Sequence, residues 1–208
     1  LTLAPGTRVK IAGGRYAQSP GYEKFAQSDY VLDVTAPEVR TLRSERASQW
    51  SAALERDLRA GATVRVEGYY KTLEDLLVGR LETEPERLAR VATYDFPAAL
   101  AASVPTAPLI TTVPTNDGSG RAYGLDVFLS RTSAPASARV RGWVSYTLGK
   151  ADRQAYGRSY PFEYDRRHAL NAVVGYRLTA NWELSTTVRL ASGFPRTPPL
   201  GLRVASRV

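Results

Sequence analysis

The chain holds 208 residues with 28 Lys+Arg against 20 Asp+Glu, a formal net charge of +8, and it contains no cysteine, no methionine and one histidine. Those zeros exclude disulfide scaffolds, thiol catalysis, iron–sulfur clusters and Cys-ligated zinc, and a single imidazole excludes a multi-histidine metal site. It opens at Leu1 with no basic segment leading into an apolar one, so it is expected to be a mature chain or a piece of a longer one.

Taken in order, Thr7–Tyr16 (TRVKIAGGRY) alternates weakly between apolar and polar positions, and a long link starts at Ser19. In Ser44–Gly61, Ala47, Trp50, Leu54 and Leu58 fit helical spacing with Ser44 as N-cap, yet Trp50, Ala52, Leu54 and Leu58 also fit period two. Ala62–Lys71 is a clear strand, with Val64, Val66, Gly68 and Tyr70 against Arg65, Glu67, Tyr69 and Lys71. The uncharged stretch Phe96–Asn116 is expected to be a loop, because Pro97, Pro105, Pro108 and Pro114 break any helix able to span a bilayer.

Four more strands complete the pattern. Arg121–Arg131 sets Tyr123, Leu125, Val127 and Leu129 against Asp126 and Phe128, and Ala138–Lys150 sets Val140, Val144, Tyr146 and Leu148 against Arg141 and Trp143. His168–Leu178 and Asn181–Gly193 follow likewise, with Leu170, Val174, Tyr176, Trp182, Leu184, Val188 and Leu190 on the apolar parity. If Ser44–Gly61 is a strand, short links near 59–62, 131–137 and 179–181 alternate strictly with long ones starting at Ser19, Thr72, Ala151 and Phe194. Outer-membrane barrels alternate in this way, with turns toward the periplasm and loops outside, and hydropathy averages do not reveal their strands.

Aromatic residues mark both ends of the apolar parity. Trp50, Tyr70, Tyr123 and Tyr146 lie toward the long links, and Tyr176 and Trp182 beside a short one, as two membrane-interface girdles would place them. Arg65, Lys71, Arg141, Arg177 and Arg189 share the opposite parity with Glu67, Asp126 and Glu183, which gives a charged inner face that leans positive. Arg56 breaks the apolar parity beside a short turn, where a charge can snorkel to the interface.

The runs GRAYGLDVFLSR, VRGWVSYTLGKADR and FEYDRRHALNAVVGYRLTANWELSTTVRLASGFPRTPP, together with the upstream strands, resemble the C-terminal β-barrel portion of TonB-dependent outer-membrane receptors. The resemblance implies an all-β fold. Residues 1–208 would be an antiparallel up-and-down transmembrane β-barrel segment of about seven strands, with short periplasmic turns and long extracellular loops. Such receptors close about twenty-two strands around a plug domain, so the barrel here is expected to be incomplete and the plug absent from this chain.

The implied function is binding and import of a scarce nutrient, a ferric siderophore, cobalamin or an oligosaccharide, with the TonB complex acting through the missing plug. The other expected partners are outer-membrane lipid and a small-molecule ligand of unknown identity. Loop segments 20–33, 81–115 and 152–166 are the places for ligand contacts, with Tyr22, Phe25, Tyr30, Tyr156, Tyr160 and Phe162 as rings able to stack on it. In YDRRH, Asp165 is expected to pair with Arg166 or Arg167 at the barrel rim. No catalytic residue, cofactor or metal site is expected, since Asp165 and His168 lack a second histidine, a serine elbow or a matching carboxylate pair. The basic residues form no nucleic-acid module. The rival reading is an exported soluble all-β binding or adhesion module.

Overall fold

The computed structural model describes residues 2–21, 25, 32–95, 97, 104–132 and 138–196. Among them lie nine strands: β1 (Thr2–Ala4), β2 (Thr7–Gln18), β3 (Glu45–Asp57), β4 (Thr63–Leu81), β5 (Ile110–Arg131), β6 (Val140–Ala155), β7 (Arg158–Pro161), β8 (His168–Arg177) and β9 (Glu183–Ala191). One α-helix, α1, covers Glu84–Ala92. Every pairing is antiparallel, and the strands lie in the order β1-β2-β3-β4-β5-β6-β8-β9 with β7 folded back on β6. The protein is therefore an all-β, up-and-down sheet. It is not closed on itself: β9 forms one edge, and β1 with the rest of β2 forms the other.

The seven expected strands are β2–β6, β8 and β9; β1 and β7 are short additions. Residues 45–57, whose apolar spacing fits a helix as well as a strand, form β3, and twelve residues of β3 pair with β2 and twelve with β4. Two ladders satisfy both edges of this backbone, which outweighs any helical preference its Ala, Leu, Glu and Arg residues carry.

Connections 5–6, 58–62, 132–139 and 178–182 gather at one end of the sheet, and 19–44, 82–109 and 156–167 at the other. The alternation is thus present in three dimensions. Three loop expectations need correction. Phe96–Asn116 is not loop throughout, because Ile110–Asn116 is the first third of β5. Proline excludes helix there but not strand, and Pro114 lies fully buried opposite Gly79 in an irregular part of the β4–β5 ladder where the register shifts. Segment 81–115 also holds α1, started by a capping box: Glu86 accepts from the Thr83 N–H at 2.7 Å and from its hydroxyl at 2.8 Å. In segment 152–166, β6 and β7 form a hairpin about Tyr156-Gly157, both at positive φ, as a two-residue turn requires.

Residues i and i+2 of a strand share a face, and the register aligns these parities across the sheet. One face carries Ile11, Trp50, Leu54, Val66, Tyr70, Leu125, Leu129, Leu148, Leu184 and Leu190, all exposed; Ile11 reaches 75 % and Trp182 71 %. No second layer covers that face among the described residues. Leu76, Leu77 and Val78 of β4 are buried, and Leu77 packs with Phe25 and Leu32, joined by the partly buried Val39 and Leu42, where the β2–β3 connection meets the extension of β4. Asn116 ties the same region together: its Oδ1 accepts from Arg43 N–H at 2.7 Å, and its Nδ2 donates to Arg43 O and Asp75 O at 3.0 and 2.8 Å.

Candidate functional site

On the apolar face the side chains form cross-strand rows. Gly13, Trp50, Tyr70, Tyr123 and Lys150 make one row across β2–β6. Below it, toward the short turns, run Ile11, Ala52, Gly68, Leu125, Leu148 and His168, then Val9, Leu54, Val66, Val127, Tyr146, Leu170 and Leu190. Tyr70 and Tyr123 stack with ring centroids 6.4 Å apart, and the Tyr146 hydroxyl lies 2.8 Å from His168 Nδ1. Tyr176 sits between Val140 and Leu184 at the short-turn end, with Trp182 just before β9. Five of the six aromatics expected at membrane interfaces therefore lie at the two ends of this face, whereas Tyr146 lies further in, between Val127 and Leu170. Arg56 is exposed on it beside the short β3–β4 turn, between Thr7 and Val64.

The opposite face is polar and laced. Arg65 lies over the Phe128 ring at 5.6 Å, and Phe128 stacks on Trp143 at 6.0 Å. Glu67 stands directly opposite Asp126, a like-charged pair that Thr147 relieves by donating its hydroxyl to Asp126 at 2.5 Å. Arg177 opposes Glu183, Arg189 opposes Asn171, and Arg141 opposes Gly175. Near the short turns Arg8 and Lys10 both pair with Glu55, at 2.7 and 3.0 Å, and Arg8 also with Asp57. All eight charges expected inside a barrel share this face.

Tyr69 and Trp143, aromatic side chains on the polar parity, now have a structural role. The Tyr69 ring lies across the neighbouring strands, where a methyl group on Gly124 would come 2.6 Å from its hydroxyl and one on Gly149 3.0 Å. Glycine at both positions leaves room for the ring to lie against the sheet.

At the long-connection end of the polar face these elements enclose a cavity of about 630 Å³. Tyr16, Lys71, Arg153 and Phe162 line it, with Glu45 and Leu73. Arg153 stacks on Phe162 at 4.4 Å, and Lys71 makes no ion pair or hydrogen bond with any described residue. Arg46 and Arg121 also line the cavity, so four cations and two aromatic rings stand against the carboxylates of Glu45 and Asp152, a net positive lining that suits a planar or anionic small molecule. Sequence reading placed Lys71 and Phe162 in separate categories and overlooked Tyr16 and Arg153; the alternation of Thr7–Tyr16 was the available signal for Tyr16.

The remaining loop aromatics divide. Phe25 is 6 % exposed within the small apolar cluster, so it packs the loop and is not free to stack on a ligand. Tyr156 donates its hydroxyl to Gly79 O at 2.8 Å, which binds the β6–β7 hairpin to β4. Tyr160 lies half-buried on β7, outside the lining of the cavity. Tyr22 and Tyr30 lie outside the described residues. Of the two arginines offered to Asp165, Arg167 takes it, at 2.8 Å, while Asp165 also accepts from the Ala151 N–H at 2.8 Å; Arg166 stacks on Phe194 instead. Among the described residues no three His, Asp or Glu side chains gather as a metal site. No protein-family model matches the chain, and no curated protein matches it.

Proposed function

We propose that the chain is part of the barrel wall of an outer-membrane receptor of the TonB-dependent kind, which binds a scarce nutrient and imports it. The observation that carries the reading is the bare apolar face: a continuous sheet surface of Leu, Val, Ile and ring side chains, bounded by aromatics at both ends. Monomers in water rarely leave such a patch uncovered, whereas lipid covers it without cost. On β6 the apolar parity runs from Val140 to Leu148, nine residues, the length that a tilted strand of about 9–11 residues needs to cross a bilayer.

In this reading the polar face lines the lumen, the short turns are periplasmic and the cavity of Tyr16, Lys71, Arg153 and Phe162 faces the extracellular mouth. An anionic chelate or a sugar acid is the ligand chemistry that its cations favour. The open edges belong with further strands, and import requires the plug and the TonB complex that the resemblance implies. The test is to refold the full chain in buffer and in phospholipid vesicles. Sheet formation with a cooperative melt only in vesicles supports the wall reading, and a folded monomer in detergent-free buffer refutes it in favour of the exported soluble module.

A further inference from the structure

Just below the aromatic row the apolar face is not flat. Ala52 and Gly68 are the smallest members of their row, and Ile11 flanks them on one side with Leu125 and Leu148 on the other. Trp50, Tyr70 and Tyr123 stand above and Leu54, Val66 and Val127 below. The result is an almost wholly apolar groove of about 760 Å³. A methyl group on Gly68 would meet only Gly124 O, at 4.0 Å, so the groove is open above its floor.

The groove ends beneath cations on the same face. Lys150 closes the aromatic row, and the next row toward the long connections holds Arg15, Ser48, Thr72, Arg121 and Asp152. Lys150 Nζ and Arg121 Nε converge on Asp152 Oδ2 at 3.1 and 3.8 Å. The carboxylate is only 6 % exposed, whereas Arg121 and Lys150 are 48 % and 31 % exposed, so the charge that meets an approaching molecule is positive. Arg15, also exposed, makes no ion pair with any described residue.

We infer that this groove seats one acyl chain of a phosphate-bearing anionic lipid, whose phosphate lies between Arg121 and Lys150. The inference rests on the wall reading, which turns this face toward lipid. An apolar channel ending under two cations at headgroup depth matches that ligand at both of its ends, tail and phosphate.

The test uses the full chain carrying Trp143→Phe and Trp182→Phe, so that Trp50 at the groove is the sole fluorophore. It is inserted into phosphatidylcholine vesicles containing a minor fraction of acyl-brominated phosphatidylglycerol or, separately, acyl-brominated phosphatidylcholine. The anionic lipid should quench Trp50 at lower mole fraction, and Arg121→Gln or Lys150→Gln should each weaken that preference about fivefold. Gly68→Leu, which fills the groove, should cut quenching by both lipids. Equal quenching by the two lipids, or a preference unmoved by the charge and groove variants, overturns the lipid site and leaves the wall reading standing. No quenching by either lipid overturns both.

Discussion

Placing a guanidinium in the middle of the apolar face gives the sharpest test of what that face meets. Val127 lies on β5, four residues below Tyr123 of the aromatic row, a distance of about 13 Å along the strand. At a tilt of about 45° that is about 9 Å of depth, close to the midplane of an apolar band about 25 Å tall. Val127→Arg should then cost about 2–4 kcal/mol, an increase of roughly 30- to 1,000-fold in the unfolded fraction. Thr187→Arg supplies the control, since Thr187 lies exposed on the polar face of β9 among Ser185 and Arg189, and a surface change there should stay within about 0.5 kcal/mol. Denaturant unfolding of the full chain in phospholipid vesicles, followed by tryptophan emission, measures both. If Val127→Arg costs no more than Thr187→Arg, the apolar face does not meet hydrocarbon and the wall reading fails.

Gly124→Val should destabilise the sheet by about 1–3 kcal/mol, because its Cβ would come 2.6 Å from both the Tyr69 hydroxyl and Leu148 O; adding Tyr69→Ala should recover part of the loss, and a double-mutant cycle reads the difference. Helix α1 should be acid-sensitive. Arg80, with the Thr83 N–H and hydroxyl, holds the Glu86 carboxyl well below the usual carboxylate range; Arg90, helped by the Leu109 N–H, lowers Glu82, and Arg87 lowers Glu84. Carboxyls depressed in the folded state stabilise it fully above their unfolded value of 4.5 and lose that contribution as pH falls through their folded values. Backbone NMR shifts of 84–92 should therefore hold from about pH 8 to about pH 5 and move toward coil values below about pH 4, with Glu86→Gln already shifted at neutral pH. Glu86→Gln shifts identical to those of the parent chain at neutral pH would refute this account.

Period two made β2–β6, β8 and β9 legible because each long strand keeps one face apolar along its length. Glu45–Asp57 was ambiguous alone, since alanines and leucines spaced three and four apart satisfy both periods; the alternation of short and long connections resolved it. Three features escaped for physical reasons. In β5, Pro114 and the polar Thr115-Asn116-Asp117 hide the strand, because its first third pairs with β4 through register shifts and its side chains follow no simple parity. The Thr83-x-x-Glu86 box with Pro85 in the first turn was a readable helix start, overlooked beside the proline-rich stretch downstream. The Tyr156-Gly157 turn lacks the Asn-Gly or Asp-Gly signature, so Tyr156 adopts its positive φ under the constraint of the hairpin that it closes.

The cavity on the polar face was legible only in part. Lys71 followed from parity, but its meeting with Tyr16 and Arg153 depends on register across β2–β6, which no single strand encodes. Phe25 shows the opposite failure, where a loop ring read as a ligand contact is held in packing by Leu32 and Leu77.

The strictly sequential strand order bears on how the chain folds. Each of the seven long strands pairs with the long strand next to it in the chain, so the sheet can grow by adding hairpins one at a time, without threading one segment past another. Among the seven long strands, the hairpins closed at 58–62 and 178–182 have the shortest loops and the smallest closure entropy, which makes β3–β4 and β8–β9 the natural first pieces. The β4–β5 pairing must bring together ends separated by residues 82–109, and the ion pairs that lock α1 against Arg80 and Glu82 shorten that search by folding part of the connection locally. Each finished hairpin exposes a fresh edge for its neighbour, so this sheet elongates from its seeds as a growing template.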